Sequence, residues 1–294
     1  MSDVKNISLV LGSGGARGLA HIGVIRWLEE HEYHIKSIAG CSIGSLIGGA
    51  YAAGKLNELE SWMRTIDKLD IANLLDISWG SGGLFKGEKI INTLVNLLQD
   101  QKIEDLPIPF TAVAADIITE KEVWLNTGSL FDAVRASVSL PLFFTPVRYK
   151  NSLLIDGGVL NPVPIAPTFN DETDLTIAVN LGGPLEQERE PQRPLVNDQS
   201  AWDRFQDRVK DFFDLSKESD EDTLKKWGMY EVADKAFDTM QSAIARQKIA
   251  AYPPDVEIVI ARNACGTLEF DRADEMIDLG YSKAQSAFDT YTNS

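Results

Sequence analysis

The sequence predicts an α/β fold built on a mainly parallel sheet with helices on both faces. Three observations carry this reading. Short continuous apolar runs, such as residues 7–11 (ISLVL), end in glycines as buried strands do. Segments whose apolar residues recur at near-helical spacing separate most of these runs. The unit strand, glycine loop, helix occurs twice before Gly54, and such alternation builds parallel sheets.

Taken in order, residues 7–11 form the first strand, and residues 16–30 form a helix on which Leu19, Ile22, Ile25, Trp27 and Leu28 recur. Residues 35–39 form the second strand and residues 40–44 a tight turn. Residues 45–53 form a small-residue helix closed by Gly54, in the position glycine favours after a helix. Later strands are expected at 110–115, 122–125, 147–149, 153–155, 175–180 and 256–261, and later helices at 87–98, 130–137, 222–249 and 272–288. Residues 184–198 (PLEQEREPQRPLVND) hold three prolines and read as a loop or hinge. The simplest partition is one domain, 1–294, with a helical insertion or lid at about 185–250.

Composition bounds the function. The formal charge of -16 argues against nucleic acid and against electrostatic docking on anionic lipid, since phosphates repel a net acidic surface. Cys41 and Cys265 provide no disulfide framework, which suits a reducing compartment. The N-terminal MSDVKNISLVLGSGG reads as a first strand and not as a signal peptide, and no apolar stretch approaches the roughly 20 residues that span a bilayer. A soluble cytoplasmic protein is expected.

The chemistry begins at Gly40-Cys41-Ser42-Ile43-Gly44, a G-x-S-x-G turn between a strand and a helix. Such an elbow lifts the serine hydroxyl clear of the sheet, and the helix aims N–H groups at the reacting centre. In α/β-hydrolases an acid and then a histidine follow the serine. Here His21, His31 and His34 all precede Ser42, so the base must be sought elsewhere. The run Leu153-Leu154-Ile155-Asp156-Gly157-Gly158 puts an acid directly after an apolar strand, and a Ser42–Asp156 dyad needs no histidine. The loop Gly12-Ser13-Gly14-Gly15-Ala16-Arg17-Gly18 opens the first helix. It fails the dinucleotide pattern, because Arg17 stands where the last glycine belongs. Its amides could instead stabilise the oxyanion of a tetrahedral intermediate. Cys41 reads as a small buried residue and His21 as a packed or capping one.

Seven ordered pieces, LGSGGARGLAHIGVI, GCSIGSLIGGAYAAG, GGLFKGEKI, FTAVAADI, AVRASVSLPLFFTPV, LLIDGGVLNPVPI and LEFDRADEMIDLGY, carry a resemblance. The chain resembles the patatin-like phospholipases, in particular the bacterial branch similar to the catalytic domain of neuropathy target esterase. The resemblance implies a three-layer α/β/α patatin-like fold with Ser42 as nucleophile, Asp156 as base, and an oxyanion hole of Gly14, Gly15 and Ile43. Gly12, Arg17, Gly18, Gly40, Gly44, Gly157 and Gly158 would support these motifs, as would Arg135 and Pro141 of RASVSLP. It also implies hydrolysis of acyl esters in phospholipids, lysophospholipids or related lipids, with no metal or cofactor. Ser13 departs from the glycine that family members often carry, which touches only the detail of the hole.

Two other functions use the same residues: acyl transfer to an alcohol, and a lipid-binding module without turnover. Trp202, Phe205, Val209, Phe212, Phe213 and Leu215 recur at helical spacing, followed by Trp227 and Tyr230. The stripe reads as packing on the body of the protein, as a lid over an apolar pocket, or as a transient membrane contact that Asp203, Asp207, Asp211 and Asp214 would weaken.

Overall fold

The computed structural model describes residues 5–74, 88–141, 143–186 and 229–293. The aromatic stripe from Trp202 to Trp227 lies outside them. One eight-stranded sheet forms from β1 (Lys5–Leu11), β2 (Tyr33–Cys41), β3 (Phe110–Asp116), β4 (Lys121–Leu125), β5 (Val147–Tyr149), β6 (Ser152–Asp156), β7 (Leu175–Gly183) and β8 (Val256–Ala261). The ladder β3-β2-β1-β7-β8 is parallel, while β4, β5 and β6 pair antiparallel. Each strand expected from the sequence is present.

The helices are α1 (Ala20–Glu30), α2 (Ile43–Ala52), α3 (Leu56–Met63), α4 (Lys68–Leu74), α5 (Glu88–Leu98), α6 (Leu130–Ser137), α7 (Met229–Ala251) and α8 (Ala273–Thr292). The expected helix over 16–30 is divided, because Gly15–Leu19 forms a 3₁₀ turn before α1. Gly54 closes the α2 end with φ 69°, and the Lys55 amide reaches back to the Ala50 carbonyl as a glycine-terminated helix requires. No described helix is long and apolar enough to cross a membrane.

Side chains alternate across a strand, so β1 shows how both faces are covered. Ile7, Leu9 and Leu11 join the main core with Ile22 and Ile25 of α1, Ile47 of α2 and Met276 of α8. Val10 points the other way, to Val163, Ile165, Ala178 and Ala245 of α7. The result is three layers, and it explains why these strands read as unbroken apolar runs. On the first face α1 and α8 touch backbone to backbone. A Cβ at Gly23 would stand 1.9 Å from the Ile277 carbonyl oxygen, and one at Gly280 would stand 1.9 Å from that of Ala20. The C-terminal motif LEFDRADEMIDLGY therefore answers LGSGGARGLAHIGVI across a helix contact.

The register around β3 positions the site. Val113 pairs with both Cys41 of β2 and Trp124 of β4, so these two strands lie on opposite edges of β3. Ala114 pairs with Val123 of β4 and with Asp156 of β6. β6 therefore continues along the edge that β2 has just vacated, running towards it. The last residue of β2 and the last of β6 meet head to head, which places Ser42 beside Asp156.

Candidate active site

Ser42 leaves β2 in a conformation that few non-glycine residues adopt, φ 55° and ψ -126°, before α2 begins at Ile43. Such a backbone persists only where its surroundings impose it, at about 1–3 kcal/mol. Gly44 makes the turn feasible, since a Cβ there would stand 2.2 Å from the Leu11 carbonyl oxygen. Gly40 faces Gly44 across the same bend. The chain thus doubles back over the end of β1, and its serine hydroxyl comes free of the sheet.

The Ser42 hydroxyl donates to Asp156 Oδ2 at 2.5 Å. Asp156 Oδ1 accepts the Gly158 amide at 2.7 Å, so the carboxylate caps the short turn Gly157–Val159 that follows it. Gly157 packs against the Val113 carbonyl. Asp156 is wholly buried, and burial, only partly offset by the hydrogen bonds from Ser42 and Gly158, pushes its carboxyl up to about 6. Such a carboxylate is a stronger base than an exposed one, and it has one partner hydroxyl. Asp156 ends β6 beside Ala114 of β3, where it is wholly buried and desolvation acts fully.

No histidine bonds to Ser42 among the described residues. His21 is buried, bonded through Nε2 to the Gly12 carbonyl at 2.9 Å, and burial lowers it to about 4. His31 stacks on Trp27, and His34 sits early in β2. The Cys41 thiol is buried, and desolvation raises it well above its usual range, so it is not an available thiolate.

The glycine loop lies on the other side of Ser42. Ser13 N–H donates to the Pro162 carbonyl and Ala16 N–H to that of Thr267. Between them the Gly14 and Gly15 amides bond to no acceptor among the described residues, and both glycines line the same cleft as Ser42. Gly15 adopts φ 58°. Gly12 donates to the Val179 carbonyl. Ile43 opens α2 with its side chain against Gly18. Arg17 spans the loop and α7: one guanidinium nitrogen donates to Asp238 at 2.5 Å, the other to the carbonyls of Arg262 and Cys265. The Gln241 amide donates to Ser13 Oγ at 3.1 Å, so Ser13 ties the glycine loop to α7.

Leu140 and, from α7, Asp234, Phe237, Asp238 and Gln241 complete the cleft, which offers only about 40 Å³. Sequence reasoning missed these α7 residues, because they form no motif. It also missed Ser137, the last residue of α6, whose hydroxyl accepts the Ser42 amide at 2.9 Å and donates to the Val113 carbonyl at 2.6 Å. Arg135, expected to support the site, donates to Ser139 Oγ and to Thr145.

The model of the patatin-like phospholipase family matches residues 9–169, more than half of the chain. The chain is 37% identical over 338 residues to an NTE family protein of Mycobacterium tuberculosis, covering 99% of this chain and 93% of that protein. It is 28% identical over 293 residues to patatin-like phospholipase domain-containing protein 6 of Homo sapiens, covering 97% of this chain and 20% of that protein. Among solved structures, VipD from Legionella pneumophila aligns at TM-score 0.48 and 14% identity, over 98% of this chain and 67% of that one. By family model and by near full-length similarity, the chain belongs to the patatin-like phospholipase family.

Proposed function

We propose that this protein is a serine hydrolase that cleaves acyl ester bonds of phospholipids, lysophospholipids or related lipid esters through Ser42 and Asp156. The observation that carries the reading is the 2.5 Å hydrogen bond from the Ser42 hydroxyl to a buried carboxylate, facing two uncommitted amides. Ser42 Oγ attacks the ester carbonyl as its proton passes to Asp156 Oδ2. The carbonyl oxygen, now negative, takes hydrogen bonds from Gly14 and Gly15, with Ile43 beside the elbow as a third donor. Collapse expels the alcohol, which takes the proton back from Asp156 and leaves an acyl-enzyme. Asp156 then deprotonates a water that attacks the acyl carbon, and the fatty acid leaves as Ser42 is reprotonated.

The cleft beside Ser42 is small, about 40 Å³. α7 lines the cleft and is tied to the glycine loop by Arg17–Asp238 and Ser13–Gln241, so it serves as the lid that shifts to admit an acyl chain. The cytoplasm remains the expected compartment, and membrane contact is transient.

Purified protein is expected to release fatty acid from lysophospholipid or p-nitrophenyl acyl esters. Product analysis with added glycerol distinguishes water from an alcohol as acceptor, and no turnover of any ester would leave only a lipid-binding role. The pH profile reports the base. Asp156 must be ionised to accept the proton, so kcat/KM should fall about tenfold per pH unit below about 6. A limb near 4 would mean that the essential base is not a carboxyl raised by burial.

A further inference from the structure

The elbow is fixed at a place where the sheet's own hydrogen bonding is interrupted. In the β2–β3 ladder Ile38 N–H donates to the Pro109 carbonyl at 2.9 Å. Parallel ladders repeat every two residues, so Ser42 N–H would meet the Val113 carbonyl directly. Instead the hydroxyl of Ser137 stands between them, accepting from Ser42 N–H at 2.9 Å and donating to Val113 C=O at 2.6 Å. Two residues on, the Ser139 carbonyl accepts the Asp156 amide at 2.9 Å. Ser139 is itself pinned, since its hydroxyl accepts from Arg135 Nη1 at 2.6 Å and donates to the Arg135 carbonyl at 2.7 Å. Ser137 and Ser139 are fully buried. One short segment at the end of α6 therefore holds the backbone of both reacting residues, at the junction where β2 and β6 both end.

We infer that Ser137 is a positioning residue for Ser42, its hydroxyl wedging β2 away from β3 so that the elbow opens towards Asp156. The inference rests on the serine-hydrolase reading for its kinetic consequence and on the ladder geometry for its structural one. Without the hydroxyl, the Ser42 amide and the Val113 carbonyl are both left unpaired in a dry interior. They relax by closing on each other, which draws the nucleophile from its base. A misplacement of about 1 Å at a reacting centre is worth about a hundredfold in rate.

Ser137→Ala is expected to lower kcat about a hundredfold with KM within about threefold. The matched control is Ser8→Ala. Ser8 is equally buried, with its hydroxyl on Asp171 and Thr173, but it pairs with Ser37, five residues or ~16 Å down the sheet from Ser42. That control should lower the melting temperature and leave kcat within about threefold. Ser137→Cys, which keeps the shape and lengthens both hydrogen bonds, covers the case in which alanine does not fold, and about a tenfold loss is expected. The inference is overturned if either Ser137 variant keeps kcat within threefold of wild type, or if Ser8→Ala loses as much. A wild type that hydrolyses no ester would remove the functional reading alone. The crystal structure of Ser137→Ala then decides: a Ser42 amide displaced towards Val113 by on the order of 1 Å supports the inference, and an unmoved elbow overturns it.

Discussion

Ser42→Ala is expected to lower ester turnover by on the order of 10⁵-fold, to background, in a protein that still folds. The loss is large because, among the described residues, Ser42 carries the one hydroxyl bonded to Asp156, and the neighbouring Cys41 thiol is buried and held neutral. Folding should persist because the serine side chain makes one hydrogen bond, to Asp156, and the bend is enforced by Gly40 and Gly44. Ser42→Gly separates the two roles. Both variants are inactive, but glycine accepts φ 55° without a Cβ and should be more stable than alanine by about 1 kcal/mol. Thermal melts of the two variants beside wild type check this.

Asp156→Asn is expected to lose about a thousandfold in kcat and to gain stability at neutral pH. Asparagine can still accept from Gly158 N–H with its oxygen and turn its amide to the Ser42 oxygen, so the turn stays capped. The sign of the stability change follows from burial. The folded carboxyl is raised from 3.8 to about 6, so the native state holds its proton more tightly than the unfolded chain. As pH rises from about 4 to about 6 the unfolded chain ionises first, and this group withdraws stability until about 6, then no further. The cost at pH 7–8 is about 3 kcal/mol, which a neutral asparagine avoids. The melting temperature of Asp156→Asn should exceed that of wild type at pH 7.5, and the gap should close near pH 4. A gap that widened towards acid would mean that Asp156 is not raised. Base strength and instability share one cause here, the removal of water from a carboxylate, and this is the usual trade at an active site.

Much of this architecture was legible because the strands are covered on both faces and so appear as uninterrupted apolar runs. The helices α3 and α4, of eight and seven residues, went unassigned. Ser42 and Asp156 were legible through their glycine-flanked motifs, which exist because backbone must pass close to backbone there. What no linear pattern shows is why they touch. That depends on β6 entering antiparallel along the β3 edge that β2 leaves free, a matter of three-dimensional register. Ser137, Asp238 and Gln241 were illegible for a related reason. A serine at a helix end or a glutamine along a helix carries no local signature, and its partner lies 95 or 228 residues away.

The proton relationship between Ser42 and Asp156 is tested most directly by treating the folded protein with a fluorophosphonate and mapping the adduct by mass spectrometry. Stoichiometric phosphonylation at Ser42 is expected, with loss of turnover in step, and a rate at least about a hundredfold lower in Asp156→Asn. Phosphonylation at another residue, or at Ser42 with the same rate in both proteins, would contradict the dyad.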